Sequence, residues 1–76
     1  MTMMKIEKGH SKQIGDLEIK VLQIEETGNA KFSVNQDGTI AKFGGGKGAK
    51  FTAFERIYEI KKIEKSLLVI EVIDEK

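Results

Sequence analysis

The stretch Phe43-Gly44-Gly45-Gly46-Lys47-Gly48-Ala49-Lys50-Phe51 sets four glycines and two lysines between aromatic rings, a composition suited to holding phosphate. Glycines leave backbone N–H groups free to converge on an anion, and Lys47 and Lys50 would place ammonium charge opposite it. The segment fits the loose G-x-G-x-x-A string. A dinucleotide-binding turn, however, needs a βαβ unit and an acidic residue further on, and the flanking sequence supplies neither. A Walker A loop needs Ser or Thr after Gly-Lys, where this chain has Gly48. Two readings survive: an anion nest, or a flexible connection between strands that orders on a partner.

Other chemistry is sparse. Phe43, Phe51, Phe54 and Tyr58 could offer ring faces to stacked bases or fill a core. His10, Ser11 and Asp16 are the residue types of a hydrolytic triad, but so short a chain has no evident means of building a cleft and an oxyanion hole, so His10 reads as an exposed loop residue. With no cysteine and one histidine, disulfides, thiolate metal sites and multi-histidine sites are excluded. The expectation is a protein that is not an enzyme and carries no cofactor.

Thirteen basic against twelve acidic residues leave a net charge of +1, against the strongly basic surface of a non-specific nucleic-acid binder. The middle is more cationic, since Lys31, Lys42, Lys47, Lys50 and Arg56 share their span with only Asp37 and Glu55. Charges by position 5 and the lack of a long apolar run point to a soluble, cytoplasmic chain with no membrane segment. At 76 residues the chain can bury only about 60% of its unfolded surface.

The elements that position these residues read as strands. Asp37-Gly38 is a two-residue hairpin signal, because a type I′ turn needs positive φ at both central residues. It sets Phe32 opposite Phe43 and Val34 opposite Ala41 on a dry face, with Ser33 opposite Lys42 on a wet one. A three-residue loop at Thr27 to Asn29 would set Ile24 against Phe32, Leu22 against Val34 and Glu25 against Lys31. Leu17, Ile19 and Val21 are out of phase with Leu22 and Ile24, which predicts a bulge near Val21-Leu22. A first strand is expected over Met3 to Lys8. Residues 52–64 favour strand, although Thr52 and Glu55 in capping-box spacing leave a short helix open. Leu67 to Ile73 is a strand apolar on both sides, which calls for cover on both faces, by self-association or by a central place in its own sheet.

From Gly9, the segment GHSKQIGDLEIKVLQIEETGNAKFSVN resembles the carbon storage regulator family of RNA-binding proteins: Gly9, Ile14, Gly15, Asp16, Gly28, Asn29, Val34 and Asn35 follow its outline over residues 9–35. The resemblance implies a small intertwined β dimer. The family's paired RNA-contacting arginines are replaced by Ile6 and Glu7, and its Ala-Pro by Gln36-Asp37, so no functional residue carries over.

The sequence reading is therefore a single small all-β domain, a five- to six-stranded antiparallel barrel or sandwich that forms a homo-oligomer. Its expected function is binding nucleic acid or another phosphate-bearing ligand through Lys31, Ser33 and Lys42 on a polar sheet face, with Lys47 and Lys50 from the glycine-rich loop. The alternative is an adaptor or inhibitor that binds a protein partner through the apolar strand Leu67 to Ile73 or through the loop.

Overall fold

The computed structural model describes residues 2–74, which form eight strands: β1 (Thr2–Glu7), β2 (Ser11–Ile14), β3 (Leu17–Ile24), β4 (Asn29–Gln36), β5 (Thr39–Gly46), β6 (Lys50–Ala53), β7 (Arg56–Ile63) and β8 (Leu67–Asp74). They build two antiparallel sheets, ordered β1-β8-β7-β6 and β2-β3-β4-β5. The all-β expectation holds. The count of five or six strands does not, and neither sheet closes into a barrel: each keeps two edge strands.

The extra strands come from two tight reversals. Gly15-Asp16 turns β2 into β3, with Ile14 opposite Leu17. Phe54-Glu55 turns β6 into β7, with Ala53 opposite Arg56, so residues 52–64 hold no helix. Phe54 and Glu55 take φ of 53° and 60°, the left-handed pair a primed turn demands, at a cost of about 1–2 kcal/mol per residue. Nearby bonds offset that cost: Arg56 Nη1 donates to Phe54 O at 3.0 Å and Tyr58 Oη donates to Ala53 O at 3.1 Å. Without Gly, Asn or Asp the turn has no local sequence signal.

The Asp37-Gly38 hairpin is in the expected register, with Phe32 on Phe43, Ser33 on Lys42 and Val34 on Ala41. Asp37 and Gly38 have φ of 51° and 89°, and Asn35 Oδ1 accepts the Gly38 N–H at 2.9 Å. The preceding hairpin differs. Its connection runs from Glu25 to Gly28, and Ile24 faces Ala30, not Phe32. The expected bulge falls between Val21 and Gln23, turning Leu22 outward and bringing Val21 opposite Phe32 and Ile19 opposite Val34. Lys31 therefore faces Gln23, and the expected Glu25–Lys31 pair does not form.

Inward residues of the two sheets share one core. Leu17, Ile19, Val21, Ala30, Phe32 and Val34 meet Met4, Ile6, Tyr58, Ile60, Leu68, Ile70 and Val72. Phe32, Phe43, Phe51 and Tyr58 form an aromatic knot across the layers, with ring centroids 5.0 to 6.3 Å apart. Each fully buried large side chain contributes about 1.5–3 kcal/mol. Strand β8 is central, paired by β1 and β7, and Val69 and Glu71 on its outer side are already buried within the one chain. The case for a second copy as necessary cover therefore lapses.

The two halves of the chain repeat one another. Strands β1 to β4 correspond to β5 to β8, each half supplying a lone strand, a corner and a three-stranded meander. At the first corner Gly9 N–H donates to Val21 O and Val21 N–H to His10 O; at the second, Gly48 N–H donates to Ile60 O and Ile60 N–H to Ala49 O. The next register shift falls at Val21/Gln23 in β3 and at Ile60/Lys62 in β7. Leu17 on Gln36 matches Arg56 on Asp74, and Val21 on Phe32 matches Ile60 on Ile70. Even the joining ladders agree, Lys31 on Gly44 against Val69 on Lys5.

Candidate binding face

The outer face of the β2-β3-β4-β5 sheet carries a row across all four strands. Ser11 faces Lys20, Lys20 faces Ser33 and Ser33 faces Lys42. Lys20 and Lys42 are two strand spacings apart, about 10 Å, and Lys31 lies two residues from Ser33 along β4, about 7 Å away. Among the described residues none of these lysines is in an ion pair. The adjacent row, Gln13, Glu18, Asn35 and Ile40, holds one acid, and Ser11 Oγ donates to Glu18 Oε2 at 3.5 Å. Alternation along the strands makes this face: Leu17, Ile19 and Val21, then Phe32 and Val34, turn in, so their polar neighbours turn out.

Beside the row lies an open depression of about 320 Å³ bordered by Glu25, Asn29, Ala30, Lys31, Gly44 and Gly45. Gly44 leaves room for the Lys31 stem, since a Cβ there would lie 3.4 Å from Lys31 Cγ. A larger hollow of about 380 Å³ lies between the Glu25–Gly28 and Glu64–Ser66 connections, with Ile24, Ile63, Glu25, Glu26 and Glu64 among its walls.

Of the residues singled out from sequence, Lys31, Ser33 and Lys42 come together on this face and Lys47 and Lys50 do not join them. Gly44 to Gly46 belong to β5, and the chain turns at Lys47-Gly48-Ala49 to cross into the other sheet. The N–H groups of Gly48 and Ala49 are bound to Ile60 O and Gly46 O at 2.7 and 3.1 Å, which removes them from an anion nest. At Gly45 an added Cβ would lie 3.0 Å from Ala49 Cβ and 3.1 Å from Phe51 Cζ. Glycine is needed there for close packing at the corner. Lys47 is exposed at that corner, and Lys50 lies opposite Glu59 on the outer face of the other sheet.

Lys20 completes the row and was not among the expected residues. Its place depends on the bulge: without that shift Ser33 would face Val21, and with it Ser33 faces Lys20. Phe43, Phe51 and Tyr58 point into the shared core with Phe32, and Phe54 sits in a turn, so this polar face offers no aromatic platform for bases.

Tyr58 is fully buried, and loss of solvent raises its pKa above the ordinary tyrosine value, with Arg56 opposing and Asp16 adding to the rise. Among the described residues no three His, Cys, Asp or Glu side chains converge as metal ligands, and no helix is long and apolar enough to cross a membrane. Comparison of the chain with protein-family models, with curated proteins and with solved structures found no match in any of the three.

Proposed function

We propose that this protein is a non-catalytic binding module that takes a nucleic-acid strand or another phosphate-bearing chain across the outer face of the β2-β3-β4-β5 sheet. The observation that carries this reading is the Ser11–Lys20–Ser33–Lys42 row with Lys31 beside it, its cations unpaired within the described chain. The lysines supply charge to successive phosphates and the serines supply hydroxyl donors, while the missing aromatics make recognition depend on backbone more than on base.

The test is titration with a single-stranded oligonucleotide over a salt series. Affinity should fall as salt rises, and Lys20→Glu with Lys42→Glu should flatten the logarithmic salt slope by about 0.7 per contact removed. Lys50→Glu should leave binding near wild type. Salt-independent binding, or equal loss from Lys50→Glu, overturns the assignment.

A second reading rests on β5, whose eight residues have a strand neighbour on one side only and whose Ile40 is 56% exposed. An extended segment of a protein partner could add along this edge. The apolar strand β8 cannot serve that way, because both its edges are occupied.

A further inference from the structure

We infer that the chain is a fused pair of equivalent four-stranded units, and that a second copy of the chain can replace either unit by exchange about the Asp37-Gly38 turn. Neither half completes a sheet by itself. The meander β2-β3-β4 takes its fourth strand, β5, from the second half, and β6-β7-β8 takes β1 from the first. Two ladders join the halves, Thr2 to Glu7 along β8 and Asn29 to Gln36 along β5. The core joins them too, with Phe32 packed on Phe51 and Tyr58.

Against these contacts the covalent link is slight. Gln36 faces Thr39, and only Asp37 and Gly38 connect them, both at positive φ. If that turn opens, β1 to β4 of one copy can pair with β5 to β8 of another: the β1-β8 and β4-β5 ladders and the core between the halves are rebuilt between chains, and the meanders and corners stay within each chain. Only the turn itself changes. The product closes on a two-fold axis because each copy gives and receives the same two ladders. Concentration and turn length then decide between the forms.

The first experiment deletes Asp37 and Gly38 and measures mass in solution with far-ultraviolet circular dichroism. Joining Gln36 directly to Thr39 removes the reversal within one chain. The expected result is a doubling of mass from 8.5 kDa with the β spectrum kept; a folded monomer overturns the inference. Should the deletion prevent folding, a second measurement decides. A Ser33→Cys chain and a Lys42→Cys chain, cysteine-free elsewhere, are unfolded together, refolded at high concentration and oxidised. These two positions face each other across β4 and β5. A disulfide-linked Ser33→Cys/Lys42→Cys pair in excess over either like pair supports exchange, and its absence from the refolded protein refutes it.

Discussion

The outer faces of the two sheets occupy equivalent places in the repeated fold, yet their chemistry diverges. On one, the cross-strand row is Ser11, Lys20, Ser33, Lys42; on the other it is Lys50, Glu59, Glu71, Met3. Glu59 and Glu71 face each other directly, and Lys61, the extra residue at the β7 bulge, places Nζ 3.4 Å from one carboxylate and 3.8 Å from the other. That charge is offset in part by Lys61, which the two carboxylates share, and Glu71 is buried. The lysines of the first face have no such partner among the described residues. Backbone geometry therefore does not set the charge of an outer face: on one the acids share Lys61, and on the other the lysines have no ion-pair partner among the described residues.

The largest expected effect tests whether the halves are equal partners in the core. Phe32→Ala and its counterpart Ile70→Ala, both fully buried, should each cost about 2–5 kcal/mol in denaturant unfolding, a large share of a small domain's stability. Loss from only one of them would break the equivalence. At the second corner, Gly45→Ala should cost about 1–3 kcal/mol by overpacking against Ala49 and Phe51, while Gly44→Ala, whose Cβ would meet Lys31 Cγ at 3.4 Å and Ala30 O at 3.7 Å, should cost less; equal thermal shifts would contradict the packing given to Gly45.

Tyr58→Phe should cost about 1 kcal/mol near neutral pH by removing the donor to Ala53 O. Burial raises the folded pKa of Tyr58 above the unfolded value of about 10. Its contribution is therefore complete below pH 10 and is lost as pH climbs through the folded pKa. The wild type should lose stability relative to Tyr58→Phe over that alkaline range in parallel melts. Smallest is Lys61→Ala, which leaves Glu59 and Glu71 facing each other and should cost up to about 1 kcal/mol at low salt, less in high salt. Lys31→Ala on the other face should leave the melting temperature unchanged.

Legibility in the sequence followed local signals. Asp37-Gly38 carries its own turn chemistry, so that hairpin and the Lys31, Ser33, Lys42 face could be read residue by residue. The bulge near Leu22 was visible as a phase change. Its size was not, and that left Lys20 unassigned, because register beyond a bulge depends on packing across the core. Phe54-Glu55 gave no warning, being a left-handed turn held by Arg56 and Tyr58 from neighbouring positions. The repeat is hidden for a similar reason: Lys8 and Lys47, Gly9 and Gly48, Ile24 and Ile63, Glu25 and Glu64, and Val34 and Val72 are identical pairs, while elsewhere the inward and outward pattern is what the halves share. The glycine-rich segment looked like a ligand loop because composition cannot distinguish mobility from tight corner packing.

The pairing of β1 with β8, Thr2 beside Val72, has a consequence for the order of folding. The hairpins β2-β3-β4 and β6-β7-β8 join neighbours in sequence and can form within microseconds. The β1 ladder must close nearly the whole chain, and contacts of such separation slow the rate-limiting step. During synthesis β1 waits, without this partner, until β8 emerges.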